Sequence, residues 1–520
     1  MNPTLLAGLF GILLSGLTTT LPAFDSSPVG GDQMHRAEAA ISVNMSTTGS
    51  SAHGAAVNHG AKPDFEMPAH MQAVDDSAFK FKPAYITVTG DRELTEADFE
   101  DPSVCAGCHP KQYEGWKGSM HSNSFKDPIF QKLWSMAEKA TDGGLMNHCG
   151  GCHTPIGVLT KSIKHDPDTD TFTAGPIAEQ GVSCDVCHSI KKTNYLETAT
   201  QEHGNASWEI DPQGPAGTKR GPLKDAVSPY HKTEYSELHT KADFCGNCHN
   251  IFHPGNGFPI ERTYDEWKYS PYARAGIVCQ DCHMNPVEVA VRVAEEMKPP
   301  EEIDGLQLGG FAGMGASKQR EVVHSHQFVG GNTVVTALLG GSDDSHAAAA
   351  RERLQNAARV DLQMLPRADG LIDLRVKVTN TSAGHNLPTS LTDVRQIWIE
   401  VRVKDDAGNE FYRNGTLDSH GELDEEDTTL FNAVARNEAG EVTHFPWEVS
   451  RFSRDTSIPP KGDASARYTF KAPAGSKAVT AEVRLNYRSY SQHLADVVLG
   501  EGVVKIPVIE MELETATLDL

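Results

Sequence analysis

The sequence predicts an α+β protein, in which a segment of mainly short helices and loops is followed by an antiparallel β-sandwich-like domain. Two observations support this prediction. All 10 cysteines of the 520-residue chain lie before residue 284, in a stretch interrupted by glycine and proline, which favour turns and short elements. After that stretch cysteine is absent, and from Val360 onward apolar and polar residues alternate, as in strands with one buried face.

The start of the chain resembles a secretion signal. Residues 5–17 are apolar but too few to span a bilayer comfortably, and Ala23 ends a small-residue cleavage site. We predict a signal peptide over residues 1–23, with an uncleaved anchor as the alternative and no integral membrane domain after cleavage. Residues 24–92 are rich in His, Ser and Gly and lack periodicity, which predicts a flexible arm.

The cysteines form five pairs, each with two intervening residues and a histidine directly after the second cysteine. Chance placement of the 10 cysteines and 23 histidines predicts roughly 0.008 such motifs, and C-x-x-C-H is the attachment signature of c-type haem. A disulfide scaffold or zinc ribbons would not explain the histidine. We predict five haem c groups, each held by two thioether bonds and a proximal histidine on the iron. The motifs, first to fifth, are Cys105, Cys108 and His109; Cys149, Cys152 and His153; Cys184, Cys187 and His188; Cys245, Cys248 and His249; Cys279, Cys282 and His283.

The motifs are too closely spaced for five separate cytochrome domains, so residues 93–350 are predicted to form one pentahaem domain. Because electron tunnelling falls off steeply with distance, closely packed haems predict electron transfer. Each iron takes a sixth ligand or keeps an open position for chemistry, and bis-histidine ligation favours transfer. The candidate distal ligands are His121, His148, His231, His239, His253, His324, His326 and His385.

Other histidines are interpreted differently. His165 and His203 lie in polar loops and are expected to be solvated, which makes the third motif the first candidate for an open iron. The histidines of the arm are also expected to be solvated. The alternative is that one of them ligates a haem on a neighbouring subunit, the candidates being His35, His53, His59 and His70.

The region from 101 to 331 resembles the multihaem cytochromes typified by the tetrahaem electron carrier that serves hydroxylamine oxidoreductase in ammonia oxidisers. The resemblance rests on the five motifs with their flanking residues, on Tyr113, Trp116 and residues 119–121, and on residues 263–267 and 270–272. It implies a distal histidine at His121, and at His148, His231 or His239. The sequence departs from the family in having five haem motifs rather than four, and in its long N-terminal arm and its large C-terminal extension. Related members include enzymes acting on nitrogen and sulfur compounds, and some form extracellular filaments.

The C-terminal residues 351–520 are predicted to form the β-sandwich-like domain, because several short alternating segments are separated by turn signals. Residues 384–389 form a loop at a strand end, and a similar element recurs in related multihaem proteins. His385 in this loop is either a distal haem ligand or a structural histidine. The acidic run 422–427 could hold Ca²⁺ through carboxylates, or it is a solvated loop.

Charge and ligation together favour an exported electron carrier, periplasmic or at the cell surface, with redox protein partners. Lys and Arg number 46 against 70 Asp and Glu, and the net charge of −24 argues against nucleic-acid binding. The alternatives are a multihaem oxidoreductase that acts on a small nitrogen or sulfur compound at one open haem, and a subunit of a homo-oligomer or filament. The surplus of histidines favours saturated irons, and therefore a carrier rather than an enzyme.

Overall fold

The computed structural model describes residues 42–44, 79–198, 200–340 and 344–520. The predicted signal peptide and the four arm histidines lie outside these residues. The described part contains short helices in its first half and longer strands in its second half, so the predicted α+β class is confirmed.

The helices of the described part are mostly one to three turns long. Proline at the first turn and side-chain N-caps such as Asp127 begin several of them. The α-helices are α1 Pro102–Cys105, α2 Pro110–Lys117, α3 Met120–Asn123, α4 Pro128–Ala140, α5 Met146–His153, α6 Pro155–Thr160, α7 Cys184–Ser189, α8 Asp243–Gly246, α9 Thr263–Lys268, α10 Pro271–Arg274, α11 Cys279–His283, α12 Val287–Glu296, α13 Val334–Gly340, α14 Ser345–Gln355 and α15 Gln492–Leu499. Single 3₁₀ turns span Thr89–Asp91, Glu96–Asp98, Ala178–Gln180, Tyr195–Glu197, Glu237–Thr240, Pro300–Glu302 and Pro446–Glu448.

Apart from β1, which pairs with β20, the strands up to residue 320 are short and form ribbons of two or three strands, whereas most of those after residue 357 are longer. The strands are β1 Ser42–Asn44, β2 Thr87–Val88, β3 Lys164–Asp166, β4 Thr171–Thr173, β5 Ile190–Thr193, β6 Trp208–Ile210, β7 Thr218–Gly221, β8 Lys232–Tyr235, β9 Ile251–Phe252, β10 Pro259–Glu261, β11 Gly310–Phe311, β12 Gln319–Arg320, β13 Ala358–Pro366, β14 Leu371–Asn380, β15 Gln396–Asp405, β16 Glu410–Asn414, β17 Leu430–Phe431, β18 Ala433–Arg436, β19 Arg451–Asp455, β20 Asp463–Lys471, β21 Ala478–Arg488 and β22 Ile509–Asp519.

Two sheets form the C-terminal region, and within the described residues neither closes into a barrel. One has the order β1-β20-β14-β13, the other β16-β15-β21-β22 with β17 also paired to β15. All of these pairs are antiparallel except β1 with β20, which is parallel. Alternate residues of both sheets contribute to one hydrophobic cluster, as the period-two pattern requires. The sandwich-like packing of the two sheets stays a prediction.

The segment 79–92 belongs to a core rather than to the predicted flexible arm. Ile86 has no exposed surface, and Phe81 and Ala84 pack in a cluster with Ile156 and Trp208. The apolar residues here are too few to stand out against the polar composition of residues 24–92, which is why the sequence placed the boundary later.

Helices join the two halves of the described chain. α14 crosses the boundary predicted between residues 350 and 351 and leads directly into β13. A further cluster combines Ile129 of α4 and Val334 of α13 with Leu494 of α15. No helix among the described residues is both long and apolar enough to cross a membrane.

The shared cluster of the two sheets predicts a large stability difference between two leucines. Leu374 of β14 is fully buried in this cluster, whereas Leu513 of β22 is 43% exposed. We expect Leu374→Ala to lower the free energy of unfolding by about 2–5 kcal/mol, because it leaves a cavity. Leu513→Ala should change it by less than about 0.5 kcal/mol. Urea unfolding of the whole chain, followed by far-ultraviolet circular dichroism, measures both, and equal effects would contradict the assignment of this core.

Candidate haem sites

The second to fifth motifs begin in short helices, and the first motif begins at the end of α1. In the first and fourth motifs the histidine amide donates to the carbonyl of the first cysteine, at 2.8 Å and 2.9 Å. One helical turn therefore brings both thiols and the histidine to one region. Close packing also restricts the residues between the cysteines: a Cβ at Gly150 would lie 2.7 Å from Val158, and one at Gly246 would lie 2.5 Å from the Tyr264 ring.

The Nδ1 atom of every motif histidine faces an oxygen acceptor, which leaves Nε2 as the nitrogen available to a metal. This is the usual outer-shell arrangement of a metal-binding histidine, because it fixes the orientation and tautomer of the ring. The acceptors are the carbonyl oxygens of Ala312 for His109 (2.7 Å), Ser124 for His153 (3.0 Å), Arg220 for His188 (2.6 Å) and Val329 for His283 (2.8 Å), and the carboxylate of Glu261 for His249 (3.5 Å).

Four motif histidines also face a second histidine ring across a gap. The ring centres lie 6.4 Å apart for His109 and His231, 6.2 Å for His249 and His121, 6.4 Å for His188 and His326, and 6.2 Å for His283 and His385. With metal–nitrogen bonds of about 2 Å, as for histidine on first-row metals, two imidazoles on one ion have ring centres about 6.4 Å apart. The spacing therefore fits two axial ligands on one iron, and the residues present fit haem c.

The four opposing histidines come from segments far from their partners in the sequence. His121 lies in α3, which begins after the cap Ser119, and its carbonyl accepts the amide of Val182 at 2.9 Å. His231 and His385 each direct Nδ1 to a neighbouring carbonyl, Lys232 and Asn386, both at 2.9 Å. His326 directs Nδ1 to the carbonyl oxygen of His324, at 3.3 Å. Nε2 is again the free nitrogen in these three rings.

The His385 loop is held by a half-buried carboxylate of α9. Glu266 accepts the amide of Asn386 at 3.1 Å and the hydroxyl of Thr389 at 2.6 Å. Burial raises the pKa of Glu266 to about 7, which its hydrogen bonds with Thr389 and Asn386 partly oppose. The loop between β14 and β15 is therefore fixed against the fourth and fifth motifs.

The second motif differs from the other four. Within the described residues no histidine ring pairs with His153, whose ring stacks on Phe130 with centres 3.6 Å apart. The third motif, which the sequence makes the first candidate for an open iron, has an opposing histidine, because His188 faces His326. The motif without an opposing histidine among the described residues is the second.

His239 competes with His326 for His188. Its ring centre lies 5.7 Å from that of His188, but its Nε2 already faces the carbonyl of Cys187 at 3.1 Å. His239 Nδ1 is buried without a hydrogen-bond partner. Because His326 combines the spacing of the other pairs with a free Nε2, it is the better distal candidate.

Three further candidates are not opposite any motif histidine in the described structure. His253 uses both nitrogens: Nε2 faces the carbonyl of Trp447 at 2.9 Å, and Nδ1 accepts the amides of Gly255 and Asn256. Both nitrogens of His253 are thus engaged by the protein, and its place among the distal candidates stays a prediction that these contacts do not favour. His148 and His324 each have a buried Nδ1 atom without a hydrogen-bond partner. Both stay distal candidates because the protein does not engage that nitrogen.

The two histidines expected to be solvated are held by the protein. His203 is only 5% exposed, and its ring faces Asn247 at 3.3 Å and Asp243 at 3.3 Å. His165 Nε2 lies 2.8 Å from the hydroxyl of Ser135. Solvation is therefore wrong for His203, because the polar sequence around it gives no sign of this buried network.

Burial dominates the electrostatics of five of the paired histidines, and His249 differs from them. Loss of water contact lowers the pKa of His121, His283 and His326 to about 3. Burial acts on His249 in the same direction. The hydrogen bond and charge of Glu261, with the neighbouring Cys245 and Cys248, outweigh it and raise the pKa of His249 to about 9. Neutral imidazole, the form that binds iron, is thus favoured at most of these sites.

The motifs approach one another at their cysteines. The side chains of Cys105 and Cys184 are close neighbours, since each shifts the pKa of the other thiol. The same holds for Cys152 with Cys248, and for Cys245 with Cys279. These contacts join the first motif to the third, the second to the fourth, and the fourth to the fifth.

The third motif lies beside the fourth. Burial raises the pKa of the Cys187 thiol to about 12, and the charges of Cys248 and Cys245 nearby contribute. All five motifs are therefore close neighbours of at least one other.

The acidic run 422–427 has structural contacts instead of a cation site. Glu425 accepts the side-chain amide of Gln396 at 2.6 Å, and Asp427 accepts that of Asn414 at 3.0 Å. Across the described ranges no group of three or more His, Cys, Asp or Glu side chains could hold a metal ion. The expectation of Ca²⁺ finds no support.

Comparison with known proteins gives one family match and one likeness of fold. Residues 104–189 match the family model described as cytochrome c554 and c-prime. Among solved structures, a penta-haem cytochrome c552 from Thermochromatium tepidum superposes with a TM-score of 0.54 at 17% identity, over 81% of this chain and 100% of that chain. This likeness concerns the fold.

Two other comparisons add no argument. The ApaA protein of Bordetella pertussis reaches a TM-score of only 0.14 at 7% identity, over 30% of this chain and 89% of that chain. No curated protein matches the sequence at a significant level. The family match, the fold likeness and the five motifs together support a multihaem c-type cytochrome.

The motif count predicts the mass of the mature protein. Ten cysteines in five C-x-x-C-H motifs should carry five covalent haems and leave no free thiol. Intact-mass spectrometry after thiol labelling checks both numbers. The variant Cys245→Ala/Cys248→Ala serves as the control and should lose one haem mass. Fewer than five haem additions in the unaltered protein would contradict the count.

The pairing of His121 with His249 predicts the effect of removing the former. We expect His121→Ala to convert about one haem in five from low-spin to high-spin and to open it to carbon monoxide, because an axial ligand is lost. Absorption and electron paramagnetic resonance (EPR) spectra measure this change. His165→Ala is the matched control, since its ring bonds Ser135 and faces no motif histidine. An unchanged low-spin spectrum would remove His121 from the ligand set.

Proposed function

We propose that this protein transfers electrons through five covalently attached haem c groups, most of them with two axial histidines. The observation that carries the proposal is the set of four histidine pairs with ring centres 6.2–6.4 Å apart. Haem c, when bound, supplies reversible one-electron chemistry at its iron. The residues of the chain supply attachment, axial ligation and spacing.

The histidine pairs support transfer rather than bond chemistry. A pair of imidazoles fills both axial positions and leaves none for a substrate. In seven of the eight paired histidines, a contact of Nδ1 with an oxygen orients the ring; the exception is His121. Rigid ligands change little between redox states, which favours fast electron exchange.

The cysteine contacts support a continuous path. The order first, third, fourth and fifth motif follows from the thiol contacts and from the position of Cys187 near Cys245 and Cys248. The second motif branches from the fourth through Cys152 and Cys248. The fourth motif is thus the junction of the proposed path.

One end of the path is accessible. Cys108 is the one exposed cysteine of the ten; the others are partly buried. We place electron exchange with a redox protein partner at the first motif, near Val104 and Met314, whose side chains are 45% and 68% exposed. The amide of Met314 bonds the carbonyl of Cys108, so both belong to one surface.

The proposed cellular location is outside the cytoplasm, either the periplasm or the cell surface. Support comes from the thioether chemistry of the motifs and from the apolar residues 5–17 followed by a small-residue cleavage site. The negative charge of the chain further favours a partner with a basic docking face.

A second candidate function is a multihaem oxidoreductase acting on a small nitrogen or sulfur compound. The observation that favours it is the second motif, where His153 has no histidine partner among the described residues and Phe130 lies against its ring. An axial position free of histidine is what such a reaction requires.

Turnover separates the two candidates. For a carrier, we expect the reduced protein to pass electrons rapidly to a basic redox protein, more slowly as salt is raised, because opposite charges steer the encounter. Nitrite, hydroxylamine and sulfite should not reoxidise it catalytically. Stopped-flow absorption measures both reactions. Sustained turnover of one of these compounds, abolished when carbon monoxide binds one haem in five, would favour the enzyme instead.

A further inference from the structure

We propose that Glu261 is a positioning residue that lowers the reduction potential of the haem at the fourth motif, relative to a site with a carbonyl acceptor. This inference rests on the proposed haem attachment and deepens it. Through this carboxylate, the haem at the fourth motif, which is the junction of the path, would differ from its neighbours in reduction potential.

The fold brings Glu261 directly to the fourth motif. β9 follows the motif, and β10 returns antiparallel to it with Glu261 opposite Ile251. After β10 the amide of Tyr264 bonds the carbonyl of His249 at 2.9 Å. The chain on both sides of Glu261 is therefore fixed against His249.

The carboxylate is buried and has one ion-pair partner. Glu261 is 6% exposed, and its Oε1 lies 3.5 Å from Nδ1 of His249. Among the described residues no lysine or arginine forms an ion pair with it; Arg262, next in the chain, pairs with Asp455 instead. Oε1 of Glu261 also accepts the hydroxyl of Thr263 at 3.4 Å, and the imidazole of His249 is the ion-pair partner of the carboxylate.

The contrast with the other four motifs singles out this contact. His109, His153, His188 and His283 all donate Nδ1–H to a neutral backbone carbonyl at 2.6–3.0 Å. Only His249 faces a carboxylate.

The physical consequence follows from the chemistry of imidazole. A carboxylate acceptor at Nδ1 increases the basicity of Nε2 and strengthens its donation to a metal. Stronger donation and a buried negative charge both favour the ferric over the ferrous ion, so both lower the potential.

The experiment compares two isosteric charge removals in the full-length holoprotein. Glu261→Gln keeps the size and an oxygen acceptor beside His249 but removes the charge. Glu482→Gln removes the same charge from β21, where Glu482 pairs with Lys404 at 2.8 Å. Glu261→Asp keeps the charge on a shorter side chain and is the second variant if the first does not assemble.

Redox titration followed by EPR gives the five midpoint potentials, and haem content is measured on every variant. The signal of the fourth motif is assigned as the one changed by His121→Ala. We expect Glu261→Gln to raise this midpoint more than any other, Glu261→Asp to raise it less, and Glu482→Gln to move none. Five haems with no shift, or with an equal shift of all five, would overturn the inference and leave the proposed function intact. Fewer than five haems in the unaltered protein would overturn the proposed function itself.

Discussion

The structure depends on one constraint: an imidazole has two nitrogens, and engaging Nδ1 determines what Nε2 can do. Each motif histidine directs Nδ1 to an oxygen acceptor, and so do three of the four histidines opposite them. Six of the eight acceptors lie between residues 220 and 329, in loops and short strands.

Because the acceptors and opposing rings are distant in sequence, single short segments serve two motifs. Around β7 and β8, Arg220 provides the carbonyl for His188, and His231 faces His109. Further on, His326 faces His188 while Val329 provides the carbonyl for His283. Each of these segments carries the acceptor for one motif histidine and the ring that faces another. A shift of the segment would therefore affect both motifs.

The sequence predicted what is local. Two cysteines and a histidine within one helical turn can be recognised from spacing alone, and so can strands such as β14 and β21, because their period is two. Pairings such as His283 with His385 depend on chain segments about a hundred residues apart, which spacing does not encode. His253 shows a second kind of contact that the sequence does not reveal. A tight turn after it supplies two amides to its Nδ1, and the composition of the segment does not indicate these hydrogen bonds.

Glu261 could not have been found from the sequence either, because an acidic residue at the end of a two-residue hairpin ladder is ordinary. Its role is recognised only when the five motif histidines are compared in the structure. Four of them face a neutral carbonyl oxygen, and His249 faces the carboxylate of Glu261. The β domain adds a related argument. His385 faces His283 from a loop between β14 and β15, and Glu266 of α9 holds that loop in place. Residues from both halves of the described chain therefore meet at the fifth motif. The C-terminal region brings a second histidine ring to face His283.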